Sequence, residues 1–188
     1  VPEREKGSRL AKRDRTAFLV VDFQEKFMPV IPEAEAILAH LVRICRAARI
    51  LRVPLLVTEQ YPKGLGQTVP ELWPYLDGVE RIEKVCFSCF GEPKFTGMLE
   101  GLKVDTLILA GIEAHVCVAQ TAFDAIEAGY QVHILEDAVG SRDPRNARIA
   151  LDRLREAGAV ISSTEMALFE LLGRAGTPEF KEIQQLVI

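Results

Sequence analysis

Long apolar runs and long basic runs are both missing from this chain. No stretch approaches the ~20 consecutive apolar residues that a membrane-spanning helix requires, so no membrane partner is expected. With 23 Lys and Arg against 27 Asp and Glu the formal net charge is −4, which gives a nucleic-acid partner no support. The first fifteen residues are charged and carry no apolar centre, which excludes a secretory signal and leaves residues 1–15 as a loosely ordered tail. The four cysteines, Cys45, Cys86, Cys89 and Cys117, then read as reduced thiols and not as a disulfide frame, and a cytoplasmic location follows as an expectation.

The chain does have a sizeable apolar fraction, 48%, with 27% charged residues, ordinary values for one globular domain over residues 16–188. Two segments, 17–21 and 107–110, are apolar on every residue. Such runs suit strands covered on both faces, as in a parallel sheet. Further strands are expected at 55–58, 79–85, 130–135 and 159–162. Between them, apolar spacing and Pro/Gly punctuation predict helices at 34–52, 95–101 (capped by Gly101), 116–129, 144–157 and 164–172. Residues 59–77, rich in Pro, Gly and aromatics, read as a long loop able to roof a pocket. The tail from Thr177 reads as one further turn or a docking segment. The alternation predicts an α/β fold: a single-domain three-layer αβα sandwich around a Rossmann-like, mostly parallel sheet of about six strands.

In such sheets ligands bind outside the C-terminal strand ends. Three chemically competent side chains fall there: Asp22 after the first strand, Lys84 at the end of the third, and Cys117 beyond the fourth. A thiol where a strand turns into a helix meets backbone N–H groups and the positive end of the dipole. Both favour the thiolate. His115, two residues earlier, is a candidate base, substrate contact or packing residue. Phe23, Phe27, Tyr61 and Trp73 are candidate pocket walls. Cys86-x-x-Cys89 lacks the second pair that zinc would want and is followed by a loop, so core packing is the simpler reading.

With those three residues at successive strand ends, the sequence resembles the isochorismatase-like cysteine hydrolases, relatives of nicotinamidase and N-carbamoylsarcosine amidohydrolase. The resemblance rests on Leu19-Val20-Val21-Asp22-Phe23-Gln24, on Lys84 with Phe87-Ser88-Cys89-Phe90, on Gly111-Ile112-Glu113-Ala114-His115-Val116-Cys117-Val118, and on Asp137-Ala138. Residues 59–66 look most like isochorismatase-domain-containing proteins of unknown substrate. The resemblance implies a catalytic Asp22/Lys84/Cys117 triad and a cis peptide between Ile112 and Glu113. It also implies an oxyanion site from the backbone N–H groups of Glu113 and Cys117, and a homo-oligomer.

It departs from the nicotinamidases in one respect. Their metal is held by an Asp-x-His pair and a further His, whereas residues 24–83 here contain only His40. No metal and no cofactor are therefore expected, and the partner is a small-molecule substrate. The expected reaction is cleavage of an amide or carbamoyl C–N bond through a thioester. The alternatives are a catalytically idle member serving as a binding or scaffold protein, and a peroxide-reducing thiol protein.

Overall fold

The computed structural model describes residues 9–188. The six strands are β1 (Thr16–Val21), β2 (Leu55–Gln60), β3 (Arg81–Lys84), β4 (Thr106–Ile112), β5 (Gln131–Gly140) and β6 (Val160–Ser162). They form one sheet in the order β3-β2-β1-β4-β5-β6, and every neighbouring pair is parallel. The helices are α1 (Ala34–Leu51), α2 (Pro62–Leu65), α3 (Pro93–Leu102), α4 (Ala119–Glu127), α5 (Pro144–Glu156), α6 (Thr164–Leu172) and α7 (Pro178–Val187). None of the described helices is long and apolar enough to cross a membrane.

Strand alternation separates the two apolar layers. Phe18 and Val20 of β1, with Ile108, Ala110 and Ile112 of β4, join Ile37, Leu41 and Ile44 of α1 and residues of α6 and α7. Ala17, Leu19 and Val21, with Leu107 and Leu109, join Phe95 of α3, Ala122 of α4 and Leu154 of α5. All residues of β1 and β4 are buried, the pattern of central strands covered on both faces. The expected three-layer αβα sandwich is the observed fold.

The chain starts in the middle of the sheet, steps outward through β2 and β3, then crosses back to β4 and leaves through β5 and β6. Strand order therefore reverses between β1 and β4, and in sheets of this kind ligands bind at the C-terminal strand ends beside that reversal. Gly111 makes the close approach there. It pairs with Val21, has φ +110, and a Cβ on it would stand 2.1 Å from the Val21 carbonyl oxygen. A Gly111→Ala variant should lose about 2–3 kcal/mol, because strain and a backbone clash act together. Chemical denaturation measures this; an unchanged midpoint would mean that the two strands can part locally at no cost.

The structure corrects several boundaries. Residues 59–77 are not one loop: β2 runs on to Gln60, α2 follows, and residues 70–75 form a 3-10 helix. A bridge between Gln24 and Thr68 and the buried Leu72 tie the segment down. Gly101 lies inside α3, which instead ends with Lys103 in the left-handed region at φ 54. Glu136 and Asp137 lie inside β5, whose register with β4 slips between Leu109 and Gly111. The C-terminal segment is a full helix, α7, burying Ile183 and Leu186 in the layer that contains α1. Of the expected tail 1–15, residues 1–8 lie outside the described residues. From Arg9 the chain is engaged: the Arg9 carbonyl accepts from Gln131 Nε2 at 2.8 Å, Ala11 is buried, and Arg13–Arg15 form a 3-10 turn.

Candidate active site

Asp22 directly follows β1 and takes a left-handed φ of 50, a conformation that a non-glycine residue holds only under constraint. Its backbone N–H donates to the Thr58 carbonyl at 3.1 Å. Lys84 ends the edge strand β3 and reaches back across β2, so that Nζ lies 2.7 Å from Asp22 Oδ2. Both side chains are almost wholly out of water, Lys84 at 0% and Asp22 at 1% exposure. A buried ion pair survives desolvation only if its remaining donors and acceptors are satisfied. Here they are. Lys84 Nζ also donates to Gln60 Oε1 at 2.8 Å and to the carbonyls of Phe87 at 3.0 Å and Cys86 at 3.2 Å. Burial opposes the Lys84 charge, yet the Asp22 carboxylate beside it holds its pKa above the ordinary lysine value.

Cys117 does not open a regular α-helix. It sits in a π-helical turn, Ala114–Val118, that leads into α4, and both Val116 and Val118 N–H groups converge on the Glu113 carbonyl, at 3.1 and 3.3 Å. Such turns recur where a side chain must be re-aimed. The Ile112–Glu113 peptide before it is cis. The Cys117 thiol lies close enough to Asp22 and Lys84 for both charges to act on it. Asp22, Lys84 and Cys117 thus come together at the C-terminal strand ends, with Asp22 and Lys84 in direct contact.

The protonation state differs from the sequence expectation. Burial first, then the Asp22 charge, push the Cys117 thiol well above the ordinary cysteine range, and Lys84 offsets only part of this. A raised pKa means the proton stays on at neutral pH, so the resting group is a thiol. The ultraviolet thiolate absorbance of the wild-type protein should therefore equal that of Cys117→Ser near pH 7 and exceed it only in strongly alkaline solution. An excess already present at neutral pH would refute this assignment.

The other candidates disperse. His115 is half-buried, and its Nδ1 is hydrogen-bonded to Ser141 Oγ at 2.9 Å, so that nitrogen is engaged at the end of β5. The Glu113 side chain turns away to Arg142, accepting from its backbone N–H at 2.9 Å and its Nε at 3.1 Å. Phe23 is fully buried in the layer that contains α1, and Phe27 packs against that layer. They are core residues, as their flanking of α1 requires. Trp73 is at the surface, its Nε1 donating to the Thr68 carbonyl at 2.8 Å and its ring under Arg81. Tyr61 shares a hollow of about 320 Å³ with Lys84, Glu83, Lys63 and Glu92.

His40 faces Thr164 and Asp137, at 3.1 and 3.3 Å, so it cannot join a metal site beside Lys84. The nicotinamidase type of metal centre does not fit these residues. Among the described residues no cluster of three or more His, Cys, Asp or Glu side chains is arranged to hold a metal ion. All four cysteines are free.

Sequence reasoning missed Thr58 and Gln60. Thr58 Oγ1 donates to Asp22 Oδ1 at 2.7 Å, and Gln60 bridges Lys84 and the Val85 carbonyl. Gln24 grips Gln60 through its backbone, donating to its carbonyl at 3.0 Å and accepting from its N–H at 2.8 Å. The signal was there. These residues end β2 in the run Thr58-Glu59-Gln60, polar where the rest of the strand is apolar.

A family model, the isochorismatase domain, matches residues 16–166. The chain belongs to the isochorismatase family. Within this family it is 42% identical over 172 residues to isochorismatase domain-containing protein 2 of Danio rerio, covering 92% of this chain and 86% of that protein. The Homo sapiens protein of the same name is 39% identical over 173 residues, with 92% and 82% covered. Among solved structures, one described as MAR1 ribonuclease from Caenorhabditis elegans superposes with a TM-score of 0.89 at 41% identity, covering 95% of this chain and 92% of that one. The Escherichia coli YcaC product, described as an octameric hydrolase of unknown specificity, has a TM-score of 0.90 at 23% identity, covering 98% and 93% of the two chains. That last likeness is one of fold.

Proposed function

We propose that this isochorismatase-family protein is a cysteine hydrolase that cleaves the C–N bond of a small amide or carbamoyl compound. One observation carries the reading: a single buried carboxylate, Asp22, is paired with Lys84 at 2.7 Å, and both charges act on the nearby Cys117 thiol. A thiol with a base on one side and a fixed cation on that base is the arrangement nucleophilic acyl transfer needs.

In this scheme Cys117 Sγ adds to the carbonyl carbon as Asp22 takes its proton. The oxyanion is met by the backbone N–H groups of Glu113 and Cys117. Asp22 passes the proton to the leaving nitrogen, the C–N bond breaks, and a thioester and an amine or ammonia result. Water then adds to the thioester carbon, giving a proton to Asp22, and the carboxylic acid leaves as that proton returns to Cys117. Lys84 stays bonded to the Asp22 carboxyl group throughout and keeps it oriented while it takes and gives the proton.

The test is a screen of small amides and carbamoyl compounds for ammonia or amine release. Release by the wild-type protein that Cys117→Ala lacks supports the reading. Equal release by both would assign the chemistry to another group, and none from any compound favours an idle member acting as a binding or scaffold protein. A ribonuclease activity, suggested by the name of the C. elegans neighbour, has less support here, since the chain has a net charge of −4.

A further inference from the structure

Two groups behind Asp22 have no part in that scheme, Thr58 and Cys89. The Asp22 carboxylate is held from both sides: Lys84 Nζ donates to Oδ2 at 2.7 Å and Thr58 Oγ1 donates to Oδ1 at 2.7 Å. Thr58 is fully buried, so its hydroxyl has no water to choose. It has one proton and two lone pairs. Cys89 Sγ, also fully buried, lies 3.8 Å from Thr58 Oγ1 and donates to it.

Cys89 is itself fixed by its backbone N–H, which donates to Thr121 Oγ1 of α4 at 2.9 Å. Burial pushes its thiol up to about 12, so near neutral pH it has a proton to give. With its oxygen already receiving that proton, the Thr58 hydroxyl must aim its own at Asp22. The order is therefore directional, from Cys89 Sγ–H to Thr58 Oγ1–H to Asp22 Oδ1.

From this geometry we infer that Thr58 is a positioning residue for Asp22, and that Cys89 sets the direction of the Thr58 hydroxyl. The inference rests on the reading of Asp22 as the base for Cys117. It gives Cys89 of the Cys86-x-x-Cys89 pair a task that is neither redox nor metal binding. Thr58 also holds Asp22 to one rotamer. Lys84 alone could follow a rotating carboxylate, whereas a second donor on the other oxygen cannot be followed at the same time. The groups facing Asp22 are then Lys84 from β3, Thr58 from β2 and Cys117 from the π turn, with Cys89 one bond further back.

The experiment needs no substrate. Site-specific alkylation of Cys117 by iodoacetamide, followed by mass spectrometry across a pH series, reads how well Asp22 takes the thiol proton. Thr58→Val keeps the side-chain shape and removes the hydroxyl. It should slow alkylation of Cys117 about tenfold, the value of one hydrogen bond to a charged group, and move the acid limb of the profile to higher pH. Thr58→Ser should restore the rate to within about twofold of wild type, since it returns the donor. Cys89→Ala should give an intermediate loss and Cys89→Ser none, which covers the case of a Thr58→Val protein that folds poorly. Wild-type rates in both Thr58→Val and Cys89→Ala would overturn the inference. Asp22→Asn separates the two levels. If it leaves the Cys117 rate unchanged or raises it, the base itself is misassigned and the inference falls with it. If it slows the reaction while Thr58→Val does not, only the role of Thr58 is lost.

Discussion

Cys117→Ala is expected to lower kcat/KM for any amide found in the screen by at least about 10⁴-fold, the scale seen when a covalent nucleophile is removed. The fold should tolerate the change. Cys117 is buried in the layer that also holds Ala114 and Ala122, and losing one sulfur there should cost about 1 kcal/mol. The loss must appear in kcat and not in KM, because the thiol forms a bond only during reaction. Measured on the purified variant with an intact circular-dichroism spectrum, a fall of less than tenfold would assign the chemistry to another group. A mass increase on the wild-type protein during turnover, absent in the variant, would identify the thioester.

Lys84→Met should destabilise the protein by about 3–5 kcal/mol, the largest effect on stability anticipated for a single side chain here. Methionine keeps the length and apolar stem, so packing changes little. The change leaves Asp22 charged and 1% exposed with no cation, and it orphans the Gln60, Cys86 and Phe87 oxygens that Lys84 now satisfies. Asp22→Asn in the Lys84→Met background removes the stranded charge and should recover part of the stability. Urea denaturation of the four proteins gives the coupling as a double-mutant cycle. Additive effects would show that the pair contributes no mutual stabilisation despite its 2.7 Å separation.

Much of the fold could be read directly because the strongest signals are local. The uninterrupted apolar runs of β1 and β4 and the spacing of Ile37, Leu41, Ile44 and Ala48 on α1 need no tertiary information. Boundaries that depended on a neighbour were misread. α3 passes through Gly101 because Pro93 and the Glu92 cap start the helix earlier and Lys103 accepts the left-handed position. The C-terminal helix looked too weak alone, and its stability comes from burying Ile183 and Leu186.

At the site, the three strand-end residues were legible because each terminates an apolar or weakly strand-like segment. The groups that hold them were not, since Thr58, Gln60 and Cys89 act through hydrogen bonds whose partners lie 24 to 36 residues away. The thiol's protonation was misjudged for the same reason. A helix terminus and a lysine are visible in sequence, whereas the depth of burial that outweighs them is not.

Lys84 belongs to a strand of four residues at the margin of the sheet, hydrogen-bonded to β2 alone, while its partner Asp22 lies 62 residues earlier beside the centre. Margins of sheets open by sub-global fluctuation at free energies well below that of complete unfolding. The lysine is the clasp that closes this margin, through its bonds to Asp22, Gln60 and the Cys86–Phe87 carbonyls. On the proposed reading, catalytic competence and the fraying of β3 are one equilibrium, and whatever loosens that strand would silence the centre while the rest of the sheet is still folded.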